Sequence, residues 1–151
     1  MAERRAEDEK QERLAIADLA RALTRVIQLM SWFTWEAEFR PSRVGSEWVD
    51  RHDAEMKPLL PDLMSAVSIV AALSEPTYRA FDPLVTRAFE LDAEIGAAAF
   101  TLAEDREVTR AKIAVLRGPV NALFDQFREM LAVVMGYGDG PAQDRTAPHG
   151  V

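Results

Sequence analysis

From Ile16 to Ala37 the apolar residues return every three or four positions: Ile16, Leu19, Leu23, Val26, Met30, Phe33 and Ala37. That spacing lays them along one stripe of an α-helix and cannot be the period-two alternation of a half-buried strand. Asp18, Arg21, Arg25 and Gln28 fall off the stripe, so the first turns read as an ordinary amphipathic helix. The rhythm recurs in Val49, His52, Met56, Leu59, Leu63, Ala66, Val70 and Leu73, and again in Phe81, Leu84, Ala88, Leu91, Ile95 and Ala98. A last run carries Ile113, Leu116, Val120, Leu123, Phe127, Met130 and Val134. Four amphipathic helices with short connections need a common core, which predicts an all-α, antiparallel up-down-up-down four-helix bundle.

Proline, glycine and small polar residues punctuate this pattern. Pro41 ends the first helix near Phe39 or Arg40, since it restricts the residue before it and cannot continue the hydrogen-bond ladder. Ser46 is the expected N-cap of the second helix. Pro58 and Pro61 lie inside that helix without upsetting its phase, which predicts a kink or brief interruption. Ser74-Glu75-Pro76 reads as a stop and restart, and Asp82-Pro83 as a second chance to reset the N-terminus. Gly96 weakens the end of the third helix or admits another backbone. Thr101-Leu102-Ala103-Glu104 fits a capping box that would start a new helix, although no glycine or proline there forbids one long helix through Arg117. Gly118-Pro119 is expected to kink the fourth helix, and Gly136 suits a left-handed cap.

The chain therefore divides into a charged helical extension (1–13), a bundle domain (14–136) and a tail (137–151) whose glycine, proline and polar content predicts disorder. Its 151 residues suffice for one domain. A net charge of −7 argues against binding nucleic acid or anionic lipid through bulk electrostatics. The absence of cysteine removes disulfides, thiolate metal sites and cysteine nucleophiles. The first residues are almost all charged where a secretory signal would be apolar, and the best apolar run, Leu63–Leu73, is short and holds Ser65 and Ser68. We expect a cytoplasmic protein that engages neither membrane nor nucleic acid.

The chain carries few of the residue patterns that chemistry requires. Only His52 and His149 are present, and neither is preceded by glutamate three residues earlier, which argues strongly against a di-iron bundle. There is no His-Glu-x-x-His, phosphate loop or dinucleotide fingerprint, and no serine has a patterned base. We expect no catalytic residues, no metal and no cofactor. His52 falls on the inward stripe beside Asp50, Asp53 and Glu55, as a partly buried histidine bonded to a carboxylate or carbonyl. Together with Met56 near the prolines, it marks the place where imperfect packing would leave a small-molecule pocket. The acids at Glu90, Asp92 and Glu94, and again at Glu104, Asp105 and Glu107, read as solvated faces, and Arg106, Arg110, Lys112 and Arg117 as partners for nearby carboxylates.

One feature resists a purely structural explanation. Trp32, Trp35 and Phe39 share helical spacing on a face well away from the first stripe, so a single core cannot use both sides of the helix. Trp48 and the second helix could cover these rings within the chain. Alternatively they form an exposed patch, with Arg25 and Gln28 as its polar margin and Trp48 at its edge, that buries itself against a second copy or another protein. The expected function is accordingly non-enzymatic association, as a homo-oligomer or a subunit of a complex. The alternative is a small-molecule-binding or regulatory bundle with its pocket at His52.

Overall fold

The structure, a computed structural model, describes residues 1–136; the predicted tail at 137–151 lies outside them. Its elements are α1 (Ala2–Phe39), a 3-10 turn (Pro41–Arg43), α2 (Ser46–Leu73), α3 (Glu75–Ala99), α4 (Arg106–Val115) and α5 (Arg117–Val134). No strand occurs among the described residues. α4 and α5 are separated by Leu116 alone, so the described residues form three long helices and a fourth in two pieces.

Burial in α1 starts at Ala15, and the whole predicted stripe from Ile16 to Ala37 is buried. The preceding charged turns are helical and largely exposed. The α3 stripe from Phe81 to Ala98 is buried throughout, as are Ile113, Val120, Leu123 and Phe127 of α4 and α5. α2 buries less: Trp48, His52, Met56, Leu63, Ala66 and Val70 go inward, while Leu73 is exposed. Fully burying one Leu, Phe or Met side chain is worth about 1.5–3 kcal/mol, so these four stripes supply most of the folding force.

Several expected boundaries move. α2 is capped by Gly45 in extended geometry, not by Ser46, which is already the first helical residue. α2 also runs without interruption past Pro58 and Pro61, and α3 past Asp82-Pro83, because packing of one continuous face outweighs the lost ladder bonds. Ser74 caps α3, accepting from the Thr77 amide at 3.4 Å. α3 and α4 are separate helices, but the capping box at Thr101 is not what separates them. Asp105 is the cap of α4, its carboxylate accepting from the Glu107 and Val108 amides at 3.0 and 3.1 Å. The Thr101 hydroxyl is engaged with the Ala98 carbonyl and with Thr109 Oγ1, 2.8 and 2.7 Å away. Nothing lies within 4 Å of a Cβ built on Gly96, so that glycine admits no close backbone.

The pause at Leu116 has a local cause. Pro119 has no amide to give the Val115 carbonyl and its ring crowds that group. The Leu116 amide tightens onto Ile113 at 3.1 Å, and the regular ladder resumes with Val120 donating to Leu116 at 3.0 Å. At the other end, Gly136 takes φ +73°, the left-handed geometry that closes α5.

The arginines of the last helix fasten it to the α1–α2 corner. Arg106 donates to the carbonyls of Pro41 and Val44, and Arg110 to the Ala37 carbonyl at 3.0 Å. α1 has no basic residue of its own in its last turn, so Arg110 supplies the cation that the negative end of the helix favours. Arg117 pairs with Glu38 at 3.0 Å.

Candidate functional site

α1 has a core side and an opposite side. At about 100° per residue, the stripe Arg25–Gln28–Trp32–Trp35–Phe39 sits about 180° from the buried one. Trp32 and Phe39 each keep 52 % of their surface exposed, and Trp35 is half-buried between them. Trp32 stacks on Trp35 at 5.1 Å and Trp35 meets Phe39 at 5.4 Å, so the three rings form a ladder along the helix. Arg25 and Gln28 are exposed at its N-terminal end.

α5 forms the other wall. Between it and α1 runs a groove of about 550 Å³, lined by Gln28, Ser31, Trp32 and Trp35 on one side and Arg117, Asn121 and Phe124 on the other. Three guanidinium groups lie over aromatic rings in the groove or beside it: Arg40 is 5.3 Å from the Trp35 centroid, Arg117 4.9 Å from Phe39, which lies outside the lining, and Arg128 5.7 Å from Phe124. Such contacts hold each charge at the rim; Arg117 is already engaged by Glu38, while Arg40 and Arg128 make no ion pair among the described residues and keep a planar edge for an acceptor. Asn121, Phe124 and Arg128 were missed by sequence reasoning. Their spacing on α5 is visible, but only packing reveals that this flank meets the Trp32 side of α1.

Trp48 does not belong to this surface, contrary to expectation. It is 6 % exposed and stacks on Phe33 at 3.7 Å, on the inner side of the α1–α2 interface. Its phase on α2 matches that of His52, one turn on, and the two rings share the same neighbour: Phe33 lies 3.9 Å from the His52 centroid.

His52 is buried, with neither ring nitrogen hydrogen-bonded, and the Trp48 indole nitrogen is likewise without a partner among the described residues. The expected bond from His52 to a carboxylate is therefore not made. Burial lowers its pKa from 6.5 to about 4, leaving it neutral at physiological pH. The adjacent cavity, lined by Trp32, Phe33, Glu36, Trp48, Arg51, His52 and Glu55, holds about 100 Å³. Met56 is buried but does not line it.

Comparison of the chain with protein-family models, curated proteins and solved structures returns no match.

Two other features bear on the site. Asp92 is not simply solvated: burial, then the charge of Asp53 on α2, raises its pKa, and Asp53 is raised by burial and Asp50. The outer side of α2 carries no charge from Leu63 to Ser74 and exposes Met64, Ile69 and Leu73. By length and composition α2 could cross a membrane, although its inner face is buried in the domain. No group of three or more potential metal ligands occurs among the described residues.

Proposed function

We propose that this protein acts by association and catalyses nothing itself. It is read as a cytoplasmic up-down-up-down bundle, bent at Pro58, Pro61 and the α4–α5 join, that presents the aromatic side of α1 to another protein chain. The topology is supported by which helices touch: α1 meets α2, α2 meets α3, and α3 meets α4 and α5, which close back on α1.

The observation that carries the reading is the half-exposed ladder of Trp32, Trp35 and Phe39 on the side of α1 opposite its core. Covering the open halves of Trp32 and Phe39 would yield about 5 kcal/mol at about 25 cal/mol per Å², more than the bundle gains from a typical core leucine. Rings stacked on one another and on arginines are already ordered, so little side-chain entropy is lost when a partner covers them. The test is Trp35→Arg in the full chain, with light scattering for mass and affinity purification for bound proteins. Loss of an oligomer or of a stoichiometric partner is expected, with circular dichroism unchanged. A wild-type monomer that retains no partner would end the proposal.

A small-molecule or regulatory role at His52 is the second reading. Three buried nitrogens without partners favour it, since such groups are costly to leave unmatched. Size weighs against it: about 100 Å³ is well below the roughly 300–1,000 Å³ of most ligand sites. Stabilisation of the wild type by a metabolite in a thermal-shift screen, lost in His52→Ala, would promote it.

A further inference from the structure

We propose that the groove between α1 and α5 receives an acidic amphipathic helix from a different protein, and not a second copy of this chain. This rests on the association reading and adds the chemistry of the partner.

The shape suits a helix. Two neighbouring helices form the walls, and the lining combines the rings of Trp32, Trp35 and Phe124 with the side-chain amides of Gln28 and Asn121. An amphipathic helix fills such a trough with side chains from one face, spaced i, i+3 or i+4, and i+7.

The charge selects which helix. The protein is acidic overall, at −7, yet this face is basic. All the cation–π contacts among the described residues lie on it, made by Arg40, Arg117 and Arg128. Arg25 continues the same stripe of α1 one turn before Gln28 and also lines the adjoining α1–α2 groove. Of these arginines only Arg117 makes an ion pair among the described residues, with Glu38. Asp18 and Asp62 line the adjoining groove with Arg25, but Asp18 pairs with Arg21. Asp125 and Glu129 are exposed on α5, and Arg40 and Arg128, over the rings, make no ion pair among the described residues. Arginines anchored on rings keep a donor edge available for bidentate contact with carboxylates, so Glu or Asp flanking the partner's apolar face would meet them directly.

The same distribution disfavours self-association. A two-fold dimer sets a patch against its own copy, bringing the basic rim against an identical basic rim. The charged extension of α1 is no substitute partner, because Glu3, Glu7, Asp8 and Glu9 are interleaved with Arg4, Arg5 and Lys10.

The experiment uses the full chain and two designed helical peptides with the same apolar anchors, one flanked by glutamates and one by lysines. Binding is followed by tryptophan fluorescence and calorimetry at low and high salt. The glutamate peptide should bind at least about ten-fold tighter, with the preference shrinking as salt rises. The double variant Arg25→Glu/Arg128→Glu, at two exposed positions, should reverse the preference while keeping the native melting profile. Equal binding, a lysine preference, or no binding by either peptide would overturn the inference. So would a wild-type dimer that Trp35→Arg dissolves, but that result would leave the association reading standing.

Discussion

Acidification should weaken this fold through His52, by an amount the structure defines. The ring is 4 % exposed, lies against Phe33, and has no hydrogen-bond partner on either nitrogen. Its pKa falls from 6.5 to about 4, so the folded chain takes up a proton less readily than the unfolded chain. Stability contributed by the neutral ring is fully present above the unfolded value and is lost as pH drops toward the folded one. At about 1.36 kcal/mol per pKa unit the total is about 3 kcal/mol, of which roughly 2 kcal/mol is gone by about pH 5. That is a large share of the about 5–15 kcal/mol that holds a typical domain together. His52→Leu has similar volume, cannot titrate and removes both unpartnered nitrogens. It should match or exceed wild-type stability at neutral pH, and its advantage should widen by about 2 kcal/mol at about pH 5. Urea unfolding followed by tryptophan fluorescence measures this directly. The difference between variant and wild type cancels the contribution of every other titrating group. A gap that stays constant across this range would refute the reasoning, because it would mean that the folded protein accommodates the imidazolium without cost.

Other predictions follow from single contacts. Asp105→Ala should cost about 1 kcal/mol in urea unfolding through loss of the α4 cap, whereas Glu104→Ala should be nearly silent. Asp92→Asn should raise the melting temperature at neutral pH. Its carboxyl titrates above the usual range, so the ionised form opposes folding, and the benefit should fade as pH falls through the carboxylate range. Phe33→Ala should cost about 3–5 kcal/mol and alter Trp48 fluorescence, since it removes the ring that both Trp48 and His52 lie against.

Helical class and most of each inward stripe were legible because periodicity is a local property, although Leu73 at the end of the α2 stripe is exposed. Ile16 to Ala37 and Phe81 to Ala98 point inward as their spacing requires. Helix ends were less legible, since capping is a competition among neighbours. At the α3–α4 join, Asp105 and Thr101 both offered an oxygen acceptor, and Asp105 prevailed, while the hydroxyl of Thr101 found Thr109 and the Ala98 carbonyl. At Pro58, Pro61 and Pro83 the helices run on uninterrupted, because burial of a continuous face holds the ladder on either side of each ring.

For the candidate surface, the amino-acid order alone determined that α1 has apolar residues on two sides, because the phase of a helix depends only on its own residues. It also determined that Arg25 and Gln28 accompany the tryptophans. Tertiary structure decided how neighbouring helices divide those sides. Trp48 went beneath Phe33, α5 brought Phe124, with Arg128 over its ring, into the groove that Trp35 lines, and His52 was sealed without a partner. Those outcomes depend on the rotation and offset of one helix against another, set by side chains far apart in the chain, to which no single helix's periodicity is sensitive.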